Sequence, residues 1–231
     1  MSTFGEISEP NSRTTWEDWD DEIPDSNGNI LQWHKPLLIP EKVDALFVLE
    51  GKYLSDCIRL QHNNYIELIN TVLEANLLLF EIKSSNRYVC TIKDYKLLQS
   101  SEIVELLKPI IIKSKDVITI QTKPLTEYQT DHVTSQPLVL KKLNTAASSK
   151  PHQTWNLNFP KLEQPNIMCG VNAGVICLRD HFDLPASALV YYIEHSEEYQ
   201  TDEIQKLLEH LKIVQNCNSH PNSILNSNLY I

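Results

Sequence analysis

Residues 43–51, VDALFVLEG, carry the first strong structural signal of the chain. Five consecutive apolar residues, Ala45 to Leu49, followed at once by Gly51, read as a β-strand covered on both faces, because a strand wetted on one side alternates apolar with polar residues. A doubly covered strand implies helices above and below a sheet. Downstream, Leu77–Ile82 and Tyr88–Ile92 read as two further strands, separated by the turn-like Ser84-Ser85-Asn86, and Val117–Gln121 reads as another buried strand. Helical spacing is found at Tyr65–Glu74 (Ile66, Ile69, Val72, Leu73) and at Ser100–Leu107, where Ser100 or Ser101 can cap the start and Pro109 is compatible with the end. Asn166–Phe182 reads as a helix with Ile167, Val171, Val175, Leu178 and Phe182 at core spacing. Ala188–Ile193 is then a strand, and Thr201–Val214 a last helix whose Thr201 caps alone. Strands alternating with helices predict an α/β fold, a largely parallel sheet with helices packed on its faces.

The regions outside this alternation have a different composition. Residues 1–40 form an expected acidic, largely disordered arm, residues 41–214 a single α/β domain, and residues 215–231 a flexible tail. The acidity is concentrated: residues 1–30 hold eight acids against the single base Arg13, a net of −7 out of the chain's −10. Trp16, Trp19 and Trp33 interrupt the arm as docking anchors, for the chain's own domain or for a partner, with the own domain favoured. Residues 123–160, with Pro124, Pro137, Pro151 and Pro160, read as a long excursion containing one short helix candidate at Leu138–Leu143.

Composition excludes several classes. The folded portion is close to neutral and the arm is acidic, so the basic surface that nucleic acid requires is missing. Five scattered cysteines without a CxxC pattern read as reduced thiols of the cytosol or nucleus, and Cys169 and Cys177, eight apart, as small core residues on one helix face. No apolar run reaches the roughly 20 residues of a membrane span. The sequence contains no GxGxxG, GxxxxGK[ST], GxSxG or HExxH, and its eight histidines lack metal-ligand spacing. Asp180-His181 sits near a helix end, where a histidine more often meets terminal carbonyls than acts as a base, and no activated nucleophile can be named beside Glu194-His195-Ser196. No catalytic residue, cofactor or metal is expected.

Leu162-Glu163-Gln164-Pro165-Asn166, leading into a helix with Ala173 and Cys177 and followed by Asp183-Leu184-Pro185 and an apolar strand, resembles the signature segment of the proteasome assembly chaperone 1 family. The opening Thr3-Phe4-Gly5-Glu6 with its acidic arm, and the closing Asn226-Ser227-Asn228-Leu229-Tyr230-Ile231, are similar to the termini of that family. The resemblance is carried by residues 160–231 and by the start. Through residues 50–150 only the order of elements is similar. It implies a non-catalytic chaperone that promotes assembly of the 20S proteasome α ring as a heterodimer with proteasome assembly chaperone 2, in the cytoplasm or nucleus.

The tail fits such a role on physical grounds. Leu229 offers apolar contact, Tyr230 a rigid ring with a polar hydroxyl, and Ile231 a terminal carboxylate that a lysine or a backbone nest can hold. Leu229, Tyr230 and Ile231 are therefore the residues expected to enter an α-ring pocket. An apolar sheet edge or helix face is expected to meet the partner chaperone. Two rival readings make different demands. An α/β enzyme of nucleoside-phosphorylase or hydrolase type needs a polar pocket with convergent titratable groups at the C-terminal ends of the strands. A general proteasome regulator would use the same tail on mature particles.

Overall fold

The computed structural model describes residues 31–61, 64–83, 85–130, 138–149, 155, 157–193 and 198–215. Seven strands form one mixed sheet in the order β2-β3-β4-β1-β5-β7-β6. The strand expected at 43–49 is β1 (Val43–Glu50), and it lies at the centre. It pairs in parallel with β4 (Arg87–Ile92) on one side and β5 (Ser114–Pro124) on the other, and β5 pairs in parallel with β7 (Ala186–Ile193). The two margins are antiparallel: β2 (Ile66–Val72) and β3 (Leu77–Ile82) form a hairpin against β4, and β6 (Leu138–Asn144) runs against β7. The sheet is thus parallel in its middle and mixed overall, and to that extent departs from the largely parallel sheet the alternation predicts.

The apolar run of β1 is apolar because both of its faces are covered. Leu46 and Val48 point to α2 (Ser100–Lys113) and α3 (Gly170–His181), whereas Ala45, Phe47 and Leu49 point to α1 (Lys52–Arg59) and to α4 (Glu198–His210) with the turn after it. All five are at most 2% exposed. The result is a helix–sheet–helix sandwich, the α/β class expected.

Five local expectations change. Tyr65–Glu74 is not helical: Ile66–Val72 is the strand β2, whose alternation is broken by a register shift between Leu68 and Asn70, so that Ile66, Ile69 and Val72 fall at helical spacing within a strand. The helix in this region is α1, whose Tyr53, Leu54, Cys57 and Ile58 are buried at helical spacing. Leu138–Leu143 likewise belongs to a strand, β6, paired along its length with β7. Helix α2 continues past Pro109 to Lys113, since Pro109 and Glu105, whose carbonyl loses its usual donor, both face outward. One turn before the proline, the Leu106 carbonyl accepts from Trp33 Nε1 at 3.3 Å. Trp33 thus docks on its own domain, as favoured, while Trp16 and Trp19 lie outside the described residues. Helix α3 starts four residues late, because Cys169 is extended and Gly170 has φ +77°. Helix α4 begins at Glu198, so Thr201 lies inside it instead of capping it, and it ends at His210.

A single side chain ties the lower end of the sandwich. Arg179 of α3 is 0% exposed and donates five hydrogen bonds, to the carbonyls of Ile111 (2.9 Å), Ser114 (2.8 Å), Lys115 (2.9 Å) and, from two nitrogens, Pro185 (3.2 and 2.7 Å). These carbonyls belong to the last turn of α2, the start of β5 and the lead into β7, so one guanidinium joins three elements.

Candidate functional site

Among the described residues α2 and α3 are the two helices on this face of the sheet, and beyond α3 the chain segment before it lies on the sheet margin. Residues 157–169 run along β6: Lys142 N donates to Pro160 O, and Leu162 N donates to Lys142 O, each at 2.8 Å. Leu162 packs on Val139, Val190 and Tyr192, which would otherwise form a bare apolar margin. The segment is then clamped at Glu163 and at Asn166. Glu163 accepts from the Tyr128 hydroxyl and from Lys141 Nζ (2.9 Å), and Lys141 lies 5.3 Å over the Tyr128 ring. Asn166 bonds the Gln129 backbone twice, accepting its N–H at 2.9 Å and donating to its carbonyl at 2.8 Å. Burial pushes the Glu163 carboxyl up, but the Tyr128 hydroxyl and Lys141 together outweigh it and hold it below its ordinary value. The Gln164–Pro165 peptide within the clamp is cis.

Between this clamped segment and α3 lies an open groove of about 930 Å³. Leu143, Leu162, Pro165, Ile167, Met168 and Ile176 give it an apolar lining, with Lys161 and Glu163 as its charged members. Ile167 is 75% exposed. Cys169 and Cys177 are both exposed, and Cys177 lines the groove; neither belongs to the core, contrary to the expectation for the pair. Phe182, at 42% exposure, is also outside the core of the helix that sequence spacing assigned it to. Apolar side chains left this open on a clamped scaffold are the chemistry of a docking surface.

The C-terminal ends of the central strands, where an α/β enzyme would keep its chemistry, hold a polar cluster whose members bind one another. Glu50, the last residue of β1, accepts from the Tyr95 hydroxyl (2.7 Å) and from the backbone N–H of Asn172 (3.2 Å); Tyr95 in turn accepts from Val171 N (3.1 Å). Gln121, the cross-strand neighbour of Glu50, donates to the Cys169 carbonyl at 3.5 Å, and Asn172 Nδ2 donates to Ile120 O at 3.1 Å. The cluster therefore caps α3, a helix whose own N-cap, Cys169, offers no side-chain hydrogen bond. A Cβ on Gly170 would stand 2.3 Å from Tyr95 Oη and 2.7 Å from Glu50 Oε1, which together with its φ fixes that position as glycine. Burial raises the Glu50 carboxyl from its ordinary value, and burial with the adjacent Glu50 pushes Tyr95 up to about 12.

Of the other pairs singled out in the sequence, Asp180 Oδ1 accepts from Ala146 N at 2.9 Å and His181 packs edge-on to Phe182, while residues 194–196 lie outside the described residues. Among the described residues no group of side chains is arranged to hold a metal ion, and no helix is long and apolar enough to cross a membrane. Leu229, Tyr230 and Ile231 lie outside the described residues. The Glu50 cluster and Arg179 were not anticipated: their partners are mostly backbone atoms distant in sequence, which leave no local pattern.

The sequence matches no family model and no curated protein. The fold does have solved counterparts. It is similar to the crystal structure of Pyrococcus furiosus PbaA, an archaeal homolog of proteasome-assembly chaperone, with a TM-score of 0.53 and 13% identity over 81% of this chain and 88% of that one. A monoclinic form of the same protein gives a TM-score of 0.50 and 14% identity over 82% and 84% of the two chains. A Thermoplasma acidophilum protein of unknown function matches with a TM-score of 0.53 and 6% identity, over 94% of this chain and 88% of the other. At such identities the likeness is one of fold.

Proposed function

We propose that this chain is a non-catalytic chaperone promoting assembly of the 20S proteasome α ring, acting as a heterodimer with proteasome assembly chaperone 2. The observation that carries the reading is the position of Leu162–Asn166. The segment whose sequence resembles the chaperone signature is clamped along the open apolar groove, in a chain that shares its fold with an archaeal homolog of proteasome-assembly chaperone. The groove offers the apolar surface that a heterodimer partner requires. Leu229, Tyr230 and Ile231 are assigned to an α-ring pocket, with the tail 215–231 as a tether between domain and ring. Two tethers on one heterodimer gain from high effective concentration, yet each releases alone, which suits a factor that must leave the finished particle.

The experiment is a tagged pull-down from cytosol with mass spectrometry, repeated with Leu229–Ile231 deleted and separately with Ile167→Asp. The full chain is expected to recover α subunits and the partner chaperone. Tail deletion should lose α subunits and keep the partner, and Ile167→Asp should do the reverse. Recovery of mature particles in place of α-ring intermediates would favour the general regulator, and recovery of neither group would end the proposal.

A further inference from the structure

The inner wall of the groove is one face of a helix. Ala173, Ile176 and Cys177 line it, and their spacing of three and four residues places them on the same side of α3. Leu143 and Met168, two more lining residues, pack against the core beneath α2 and α3, so the groove continues the layer that those helices make on this face of the sheet. Ile167 adds an apolar side chain that is 75% exposed.

Two features restrict what fits there. The first is the backbone. Lys142, in the middle of β6, already uses both of its outward peptide groups on the segment before α3: its N–H donates to Pro160 O and its carbonyl accepts from Leu162 N, each at 2.8 Å. A partner strand finds no open edge at that point, so an occupant must satisfy its own peptide groups, as a helix does. The second is charge. Lys141 is paired with Glu163 (2.9 Å) and Lys123 with Glu127 (3.1 Å). Lys161 is exposed, lines the groove and has no acidic partner among the described residues. The groove thus presents apolar surface with one uncompensated positive charge.

We propose that the groove seats one amphipathic helix of the partner chaperone, laid beside α3 with a carboxylate opposite Lys161; this inference rests on the heterodimer reading above. Packed helices lie about 8–10 Å apart, and the small side chains at 173 and 177 allow the short end of that range. The occupant places apolar residues at i, i+3, i+4 and i+7 against Ile176, Leu143, Met168 and Ile167. Apolar contact supplies the affinity, and the ion pair to Lys161 fixes the direction in which the helix lies.

The test begins with the heterodimer, the full chain co-purified with proteasome assembly chaperone 2, treated with a carbodiimide that joins amines to carboxylates in direct contact. Peptide mapping is expected to find Lys161 joined to one Asp or Glu of the partner chaperone. Alanine substitutions three, four and seven residues from that acid should weaken association about tenfold each, with substitutions two residues away neutral. Lys161→Glu should weaken it about fivefold, and lysine in place of the partner's acid should restore it. Sensitivity at every second residue would mean an added strand and overturns the proposal. So does a Lys161 joined to a second copy of this chain, or a heterodimer in which Lys161 joins nothing and Lys161→Glu binds unchanged; in these cases the heterodimer reading stands. A chaperone that does not co-purify at all removes that reading and this inference with it.

Discussion

Replacing Arg179 by methionine keeps the buried aliphatic stem and removes the guanidinium, and it should be among the most damaging single changes in the chain. Buried ion pairs can often be exchanged for apolar residues at little cost, because both partners are removed together. Here the partners are the carbonyls of Ile111, Ser114, Lys115 and Pro185, which belong to the backbone and stay. Each orphaned buried acceptor costs about 1–3 kcal/mol, and sharing among neighbours and water entry make four of them sub-additive, so about 4–6 kcal/mol is expected. For a domain of this size that lowers Tm by about 10–20 °C. Lysine offers three donors from one point and no fork, so Arg179→Lys should lose about half as much. Burial lowers the arginine to about 10, opposed by nearby Asp116, so it remains charged at neutral pH. Its linkage to stability is confined to pH above about 10, where stability rises with pH, so proton uptake does not enter a comparison at pH 7. The assay is urea unfolding followed by circular dichroism for the three proteins. A methionine variant within about 1.5 kcal/mol of the parent would refute the reasoning, since the orphaned carbonyls would then cost almost nothing. A lysine variant as unstable as methionine would refute the claim that donors are what matter.

Gly170→Ala should cost about 2–4 kcal/mol in the same unfolding assay, from positive φ and the displacement of Tyr95 and Glu50 together; a neutral result would mean that the cap of α3 yields freely. Glu163 is held below its ordinary carboxyl value by Tyr128 and Lys141, so its contribution is present above the unfolded value and is lost as pH falls through the folded one. Glu163→Gln should accordingly flatten the acid limb of the stability profile, and an unchanged limb would show that the clamp contributes nothing there. Native thiol labelling with peptide mapping should modify Cys169 and Cys177 quickly and leave Cys57 and Cys90 unreacted until the chain unfolds, since the last two are buried and burial raises Cys90 further. Rapid labelling of Cys90 would place the centre of the sheet in contact with solvent.

How much of this was legible depended on whether the deciding interaction was local. Val43–Glu50 could be read because coverage on both faces writes a continuous apolar run, and Leu77–Ile82, Tyr88–Ile92 and Ala188–Ile193 could be read for the same reason. The hairpin strand β2 could not. Its bulge breaks the two-residue alternation, and the buried Asn70, which donates to Lys35 O at 2.7 Å and accepts from Lys35 N at 3.1 Å, puts a polar residue where a strand pattern expects an apolar one. Pro109 misled in the opposite direction: the rule that proline ends a helix holds when the freed carbonyl would be buried, and here that carbonyl faces outward. The β6 error had a third cause. Lys141 and Lys142 look like the polar side of a helix until Lys141 is seen bound to Glu163 and Lys142 to the Leu157 carbonyl, both partners well beyond any local window.

The candidate site divides along the same line. Leu162–Asn166 was recognised by resemblance, and the structure supplies the physical reason for those residue types. Leucine seals the β6 margin, glutamate takes two donors from Tyr128 and Lys141, and asparagine can give and accept at once along the Gln129 backbone. Aspartate at 166 would lose the donor that Gln129 O receives, and glutamine at 163 would lose the charge that holds Lys141 over the Tyr128 ring. The groove itself has no sequence signature, because an exposed Ile167 and a buried Val171 are the same kind of letter until α3 is known to start at Gly170. What the sequence alone read as core spacing from 167 onward is therefore two different things. Before Gly170, Ile167 faces outward from a clamped strap, and after it Val171 and Val175 face the sheet.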